Sequence, residues 1–214
     1  MVEMNDKHLH VIKQVPVDYY QKGIRKNVFQ RIWHNNKLKI VLRFIPGSPG
    51  TILDIGCASG WFISNISKKF PKSKCFGIDI YDKGIKFANK IYPKIEFKVA
   101  DAHKIPYKKN TFDLVICTEV LEHLDSPKSA ILEIKRVLKK DGLAIIELDS
   151  GNLLFSIVWY IWRKFWGKVW NGSHLHSFNI KKLEKMIQSC DLKILRQQKF
   201  NLGMAMVFLI KNEN

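Results

Sequence analysis

Short apolar runs alternate with longer amphipathic segments over most of the chain after residue 50. Five runs rich in β-branched residues are candidate strands, namely TILDI, KCFGIDI, IEFKVA, FDLVICT and LAIIELD. The segments between them, WFISNISKKF, KGIKFANKIY and SPKSAILEIKRVLKK, have the periodicity of helices. Strands that alternate with helices indicate βαβ units and a parallel sheet covered on both faces. The pattern therefore predicts an α/β doubly wound, Rossmann-like domain.

The alternation stops after the fifth strand and resumes with a helix, NIKKLEKMIQSC, and two closing runs, LKILRQQKF and AMVFLIK. A short Asn-Leu-Gly connection joins these runs, which suits an antiparallel hairpin at the edge of a seven-stranded, mostly parallel sheet. Ahead of the first strand, residues 18–45 look helical and end at a Pro-Gly-Ser-Pro-Gly linker. We predict an N-terminal helical extension over 1–50 and a domain over 51–214, in which 150–178 is an aromatic-rich insertion.

The insertion contains the stretch LLFSIVWYIWRKFWGKVW at 153–170, with four of the six tryptophans. Its unbroken apolar part covers only 157–162, far short of the roughly 20 residues that a membrane-spanning helix needs. Drawn as one helix, the stretch has a narrow basic stripe beside a wide aromatic face. That pattern is typical of a helix in a bilayer interface. It is equally compatible with a lid over an apolar small molecule, a dimer surface, or a helix packed on the sheet.

Charge is spread unevenly along this 214-residue chain of net charge +17. Residues 1–50 hold nine Lys and Arg against three Asp and Glu, and residues 151–214 hold ten against three. A basic surface attracts polyanions such as nucleic acid or an anionic membrane face, although a solvated lysine-rich surface explains the same charge. Composition alone leaves both interpretations open.

The remaining composition favours one reduced, cytoplasmic globular unit. The four cysteines have no CxxC pair and no zinc-like spacing, so we predict buried free thiols. The N-terminal segment MVEMNDKHLHVIKQVP has no continuous apolar region followed by small residues, so it does not resemble a secretory signal. We expect a cytoplasmic protein, with peripheral membrane contact if 153–170 binds lipid.

A glycine turn between the first strand and the next helix is the best candidate for ligand binding. It reads Asp-Ile-Gly-Cys-Ala-Ser-Gly over 54–60. Doubly wound folds bind ligands at the carboxyl ends of their strands, where such a turn lets backbone approach closely. A dinucleotide fingerprint would require glycine where Ala58 and Trp61 stand, and no GK[ST] follows for a P-loop. The turn is therefore neither a dinucleotide-binding fingerprint nor a P-loop.

The turn resembles motif I of the class I S-adenosylmethionine-dependent methyltransferases, roughly (D/E)xGxGxG. Asp54, Gly56 and Gly60 match, and Ala58 replaces the central glycine, which puts the local backbone geometry in question. Asp79 closes the second strand nineteen residues after Gly60, where the family has an acidic residue for the ribose hydroxyls.

The resemblance continues almost without interruption over residues 51–149. The stretch PYKKNTFDLVICTEVLEHLDSPKSAILEIKRVLKKDG is similar to the family's LPF, FDLV, LEH and RVLKPGG elements, with Lys-Asp-Gly in place of Pro-Gly-Gly. It implies S-adenosyl-L-methionine as cofactor. The positions that it implies for cofactor binding are Asp54, Gly56, Cys57, Ala58, Gly60, Asp79, Ile80, Asp101, Ala102 and Glu119.

Three histidines are candidate catalytic groups, and no metal is expected. His123 follows the fourth strand, where it could act as a base or fix local geometry through one ring nitrogen. His174 and His176 precede the last helix, at a position that lies near the substrate mouth in the resembled proteins. They could supply a base, or belong to a loop that packs back on the domain with Phe178 as anchor. A metal at this pair would have no third ligand nearby in sequence.

Together these features predict an enzyme that transfers a methyl group by in-line displacement to a small or lipid-like acceptor, at oxygen. An anionic membrane surface is a candidate partner through 153–170. Two alternatives stay open, an RNA methyltransferase suggested by the basic flanks and a non-catalytic scaffold of the same fold that binds membrane or protein. Nucleic acid is the less favoured partner, since no RNA-binding appendage is recognisable. The sequence does not determine the oligomeric state.

Overall fold

A seven-stranded sheet forms the centre of the protein. The computed structural model describes residue 11 and residues 14–213. The strands are β1 Thr51–Ile55, β2 Lys74–Asp79, β3 Glu96–Val99, β4 Phe112–Thr118, β5 Leu138–Asp149, β6 Lys193–Phe200 and β7 Ala205–Lys211. They lie in the order β3-β2-β1-β4-β5-β7-β6.

Strands β1 to β5 pair in parallel, whereas β7 pairs antiparallel with both β5 and β6. The predicted doubly wound sheet and its antiparallel C-terminal hairpin are therefore confirmed. The short 201–203 link forms a 3-10 turn, so β6 and β7 must be neighbours with opposite directions. The order of the strands reverses between β1 and β4, which opens a crevice at their carboxyl ends.

Helices cover both faces of the sheet. In the described part of the chain they are α1 Tyr19–Lys26, α2 Val28–Phe44, α3 Trp61–Lys69, α4 Asp82–Ile91, α5 Pro127–Val137, α6 Leu153–Phe165 and α7 Ile180–Gln188. One core cluster joins α5 and α7 to one face, and a second joins α2, α3 and α4 to the other. Apolar side chains therefore alternate between two buried faces along β1 and β4, as a doubly covered sheet requires.

Three predicted helices end differently in the structure. The helix predicted to run to Lys140 ends at Val137, because Leu138 already pairs with Phe112 and begins β5 ahead of an irregularity in the β4 and β5 register. The helical region over 18–45 is broken at Asn27, whose side chain caps α2. The stretch 153–170 is not one helix, since α6 ends at Phe165 and a 3-10 turn occupies Lys168–Trp170.

The N-terminal helices pack on the domain. The second half of α2 contributes Ile40, Val41 and Phe44 to the same core cluster as β1 and α3. This packing fixes α2 against the sheet, so its first half projects over the carboxyl ends of the strands. The N-terminal residues tested for a secretory pattern lie mostly outside the described range.

Two further predictions concern membrane crossing and thiols. No helix of the described residues has the length and hydrophobicity that crossing a membrane would require. The four cysteines are buried and free, as predicted.

Candidate active site

A deep cavity lies at the carboxyl ends of β1, β2 and β4, beside the glycine turn. Its floor includes residues of that turn and the ends of β2 and β3, and its far end is formed by α6 and the 168–174 segment. The first half of α2 and the segment 15–20 form its roof. The cavity is thus where a doubly wound sheet is expected to hold its ligand.

The glycine turn follows the backbone geometry that its sequence suggests. Gly56 has φ +72°, and a Cβ there would collide with Val120 at the end of β4. Ala58 adopts the left-handed region with φ 48°, so alanine takes the conformation for which the family's glycine is suited. Its amide donates to Asp79 Oδ2 at 2.7 Å, which holds the turn against the end of β2.

The two acidic residues expected to bind the nucleoside both line the cavity. Asp79 also accepts the amide of Tyr81 at 2.8 Å on its other carboxylate oxygen. Asp101 accepts the backbone amide and the Nδ1 of His103, at 2.8 and 2.7 Å. Both bonds to Asp101 fall on its Oδ1, which leaves Oδ2 to accept from a hydroxyl group of a ligand, and each oxygen of Asp79 keeps a second lone pair for the same purpose.

The structure brings most of the predicted cofactor residues together. Those that line the cavity are Gly56, Ala58, Asp79, Ile80, Asp101, Ala102 and Glu119. Those outside its lining are Asp54, Cys57 and Gly60. Asp54 is buried beneath the turn with one carboxylate oxygen unpartnered, and burial raises its pKa to about 8. Gly60 instead begins α3 with φ +78°.

Glu119 connects the cavity to the N-terminal helices. Its carboxylate accepts Trp33 Nε1 and Lys37 Nζ, each at 2.7 Å, and its backbone has φ 53°. Gln21 and Ser59 add a side-chain hydrogen bond of 3.1 Å between α1 and the glycine turn. The roof of the cavity is therefore attached to the same residues that surround the cofactor position.

Lys37 is the buried counter-ion of an acidic cluster. Burial would raise the pKa of Glu119, but the charge of Lys37 and the bonds from Lys37 and Trp33 outweigh it and bring the pKa to about 2. Glu147, also buried beside Lys37, has neither carboxylate oxygen hydrogen-bonded, and burial raises its pKa well above the usual range. Because His34 is also buried and close to Lys37, its pKa falls to about 3.

Replacing this lysine should destabilise the fold. We expect Lys37→Met to lower the free energy of unfolding by about 3–5 kcal/mol at neutral pH, because it leaves the partly buried carboxylate of Glu119 and the buried Glu147 without their cation. Since the pKa of Glu119 is lower in the folded than in the unfolded protein, this stabilisation is present above the unfolded pKa and is lost as pH falls toward 2. Urea unfolding at several pH values measures both effects.

Lys39→Met is the matched control, because Lys39 is exposed on the same helix. Its effect should stay within about 0.5 kcal/mol. Equal unfolding midpoints for the two variants would contradict the role assigned to Lys37.

The far end of the cavity is an aromatic wall, formed by Trp33 of α2 and by Phe155, Trp159 and Trp162 of α6. His174 stacks on Trp159 with a centroid distance of 4.9 Å. Its Nδ1 lies 3.5 Å from Asp149 Oδ2 at the end of β5. Burial raises the pKa of Asp149 to about 6. A histidine paired with a carboxylate against an apolar wall is suited to accepting a proton.

The other two candidate histidines differ in position. His123 lines the cavity, and its Nδ1 donates to the backbone carbonyl of Ser173 at 2.6 Å, so one ring nitrogen fixes the orientation of the imidazole. His176 lies outside the cavity lining, and its Nε2 is buried without a hydrogen bond. Phe178 is buried as the anchor of this loop, and Asn179 caps α7.

The fold also assembles three groups that could hold a metal ion. Glu122, His123 and His174 each offer a ligand atom, and these atoms lie within 4.8 Å of one another. Two of these groups, Glu122 and His123, come from the turn after β4, and His176 is not part of the group. Burial raises the pKa of Glu122 well above its ordinary value, so a bound cation would have to displace a proton.

The sheet order, glycine turn and carboxylate-lined cavity resemble those of the class I S-adenosylmethionine-dependent methyltransferases. Residues 53–146 match the family model of the methyltransferase domain, so the chain carries this domain. S-adenosylmethionine fits the residues present, because Asp79, Asp101 and Glu119 offer carboxylates to ribose hydroxyls and a positive sulfur. The predicted cofactor class is therefore confirmed, while the roles of individual residues stay predictions.

Relatives of several specificities share this domain. The malonyl-[acyl-carrier protein] O-methyltransferase of Hahella chejuensis is 26% identical over 69% of this chain and 52% of its own length. The demethylmenaquinone methyltransferase of Thermotoga maritima is 26% identical over 65% of this chain and 63% of its own. The chain spans about half the length of the first of these relatives.

A solved structure supports the fold over nearly the whole chain. It is a methyltransferase from Thermotoga maritima, described as a possible histamine N-methyltransferase. It has a TM-score of 0.73 at 18% identity and covers 96% of this chain and 99% of its own.

Some residues of the site have little or no signal in the sequence. Lys37 stands in an apolar helical run and looks like an ordinary surface lysine, and Asp149 looks like the end of a strand. Only their aromatic character distinguishes four further residues in the sequence, and all four line the cavity, namely Tyr19, Tyr20, Trp33 and His34.

Proposed function

We propose that the protein transfers the methyl group of S-adenosylmethionine to an apolar, lipid-like small molecule at a hydroxyl oxygen. One observation carries this proposal, namely that a single cavity joins the carboxylate-lined cofactor half to the aromatic wall. When bound, the cofactor supplies a methyl group on a positive sulfur. A nucleophile must approach that methyl in line from the acceptor side, and alignment of this kind contributes about 7–11 kcal/mol to catalysis.

The protein's own groups would exclude water from the site and accept the proton that the acceptor hydroxyl loses. The aromatic wall and the roof of α1 and α2 exclude solvent, which favours a step that removes charge from sulfur. A hydroxyl acceptor must lose its proton to become a good nucleophile, and we assign the acceptance of this proton to His174. The nearby carboxylate of Asp149 supports this assignment. His123 is assigned a positioning role through its bond to Ser173.

Purified protein incubated with methyl-tritiated S-adenosylmethionine tests this function. The acceptors are a long-chain phenol, the matching long-chain amine and total RNA. We expect label in the organic phase with the phenol, and no loss of rate when EDTA removes divalent cations. Loss with EDTA that added metal restores would assign Glu122, His123 and His174 to a cation instead.

Other outcomes separate the alternatives. Label in the amine alone would reject oxygen as the acceptor atom, and label in RNA would favour the nucleic-acid alternative. Cofactor binding without label in any acceptor would reject the acceptor class. No cofactor binding by the folded protein would favour a non-catalytic scaffold.

A further inference from the structure

Apolar side chains from three separate elements are exposed around the mouth of the cavity. We call this surface the apolar rim, and its members are Val28, Phe29, Ile32, Leu153, Leu154, Ile157, Val158, Ile161 and Leu202. Two of them, Phe29 at 65% exposure and Val158 at 42%, also line the cavity, so the rim begins where the cavity opens. Exposed apolar surface of this extent marks a binding surface.

Direct contacts hold the three elements of the rim together. Trp33 of α2 contacts Phe155 of α6, with ring centroids 6.4 Å apart. Asn36 of α2 bonds to Asn201 at 3.0 Å, and Asn152 at the start of α6 bonds to the carbonyl of Gly203 at 2.9 Å. The 201–203 turn therefore bridges the two helices, and the rim is one surface.

The turn exposes its leucine in an unfavourable conformation. Leu202 is 87% exposed and has φ 58° and ψ 30°, the left-handed region that glycine would adopt without cost. A large apolar side chain kept in solvent by a strained backbone is expected where it contacts a partner.

The helix α6 divides its side chains between the cavity and the rim. Phe155, Trp159 and Trp162 lie on the cavity side, whereas Leu153, Ile157 and Ile161 recur at every fourth residue on the exposed side. The helix is therefore neither packed flat on the sheet nor wholly exposed. One face contributes to the aromatic wall of the cavity, and the opposite face belongs to the apolar rim and is free to contact the partner that binds there.

Charge identifies the partner. The stretches of chain that contain the rim and the segments next to it, residues 19–44, 151–183 and 192–203, have no Asp or Glu. They include the cations Arg25, Lys26, Arg31, Arg163, Lys164, Lys168 and Lys199. A second copy of the chain would place these cations opposite one another across a two-fold axis. An anionic lipid bilayer instead supplies acyl chains for the rim and negative headgroups for the cations.

We propose that the apolar rim inserts into the headgroup region of an anionic membrane, so that a lipid-like acceptor enters the cavity directly from the bilayer. The proposal rests on the proposed function for the identity of the acceptor. The binding of the rim to lipid is nevertheless measurable without any methyl transfer.

Vesicle co-sedimentation tests the docking. The vesicles are phosphatidylcholine alone or phosphatidylcholine mixed with phosphatidylglycerol, and the variant is Leu153→Ser with Ile157→Ser and Leu202→Ser, none of which lines the cavity. We expect wild type to bind the mixed vesicles and to release as salt rises. The variant should bind about a hundredfold more weakly, since three apolar side chains no longer leave water.

A matched variant controls for general surface hydrophobicity. Ile91→Ser with Leu132→Ser and Leu195→Ser removes three side chains that are 38–46% exposed elsewhere on the surface. This control should bind vesicles as wild type does. Calorimetric binding of S-adenosylmethionine, unchanged in both variants, shows that the fold and cofactor site are intact, so loss of docking is distinguished from loss of the proposed function.

Three results would overturn the docking proposal. These are no vesicle binding by wild type, equal binding by wild type and rim variant, or a wild-type dimer in light scattering that the rim variant abolishes. The last result would assign the rim to a second copy of the chain.

Discussion

Asp79→Ala is expected to weaken S-adenosylmethionine binding by about a hundredfold, the loss of roughly 3 kcal/mol. The substitution removes a carboxylate from the cavity and two hydrogen bonds, from the amides of Ala58 and Tyr81. Bonds to a charged group contribute about 1.5–3 kcal/mol each, and the bond from the Ala58 amide helps to hold this residue in its left-handed conformation. Isothermal titration calorimetry with S-adenosylmethionine and S-adenosylhomocysteine measures the effect.

Two variants separate charge from general disturbance at this site. Asp79→Asn keeps the shape and one acceptor oxygen, so its affinity should lie between those of wild type and Asp79→Ala. Asp82→Ala removes a half-exposed carboxylate at the start of α4 that pairs with Lys86, and it should bind as wild type does. Cofactor affinity that is unchanged in a folded Asp79→Ala protein would remove Asp79 from the cofactor site.

His174→Gln is expected to lower kcat by about 10²–10⁴-fold, the usual contribution of a general base. Cofactor affinity should stay unchanged, because the imidazole stacks on Trp159 at the acceptor end of the cavity. His176→Gln is the informative comparison, since His176 is only two residues away but lies outside the cavity lining. Steady-state rates that fall equally in both variants would point to the loop as a structural unit and not to a base.

The pH dependence of the rate tests how Asp149 supports this histidine. Burial raises the pKa of Asp149 to about 6, so its carboxylate is charged above that pH and stabilises a protonated His174. The wild-type rate should therefore decrease as pH falls through about 6. Asp149→Asn should lower kcat above this pH much more than below it, because below it the wild-type carboxyl is already protonated. A rate ratio that is constant with pH would contradict a positioning role for Asp149.

The aromatic-rich segment shows how one sequence pattern can serve two purposes. The sequence left open an interface helix, a lid, a dimer surface and a packed helix for 153–170. The structure reduces this choice, because α6 lines the cavity with one face and exposes the other. Gly167 lies where the helix ends, beside the Trp162 indole, and the chain then turns so that Trp170 also reaches the cavity.

The strand order and the position of the cofactor turn can be predicted from short-range patterns in the sequence. Strands alternate with helices at every step from β1 to β5, and right-handed crossovers leave few topologies for such a chain. Gly56 and Asp79 stand at fixed offsets from strand ends, so a pattern of short range places both at one edge of the sheet. Seven of the ten positions that the family resemblance implies for the cofactor line the cavity, whereas Asp54, Cys57 and Gly60 do not, and the binding role of each stays a prediction.

The acceptor half depends on contacts between segments distant in the chain, and only the tertiary structure decides these. Lys37 reaches Glu119 across 82 positions, and His174 meets Asp149 only because the insertion folds back over the end of β5. The rim likewise exists only where α2, α6 and the 201–203 turn come together. The periodicity of apolar residues in the sequence predicts which residues share one face of a helix or strand. Burial, ion pairing and exposure depend on which faces meet, and that is determined by the packing of the whole chain.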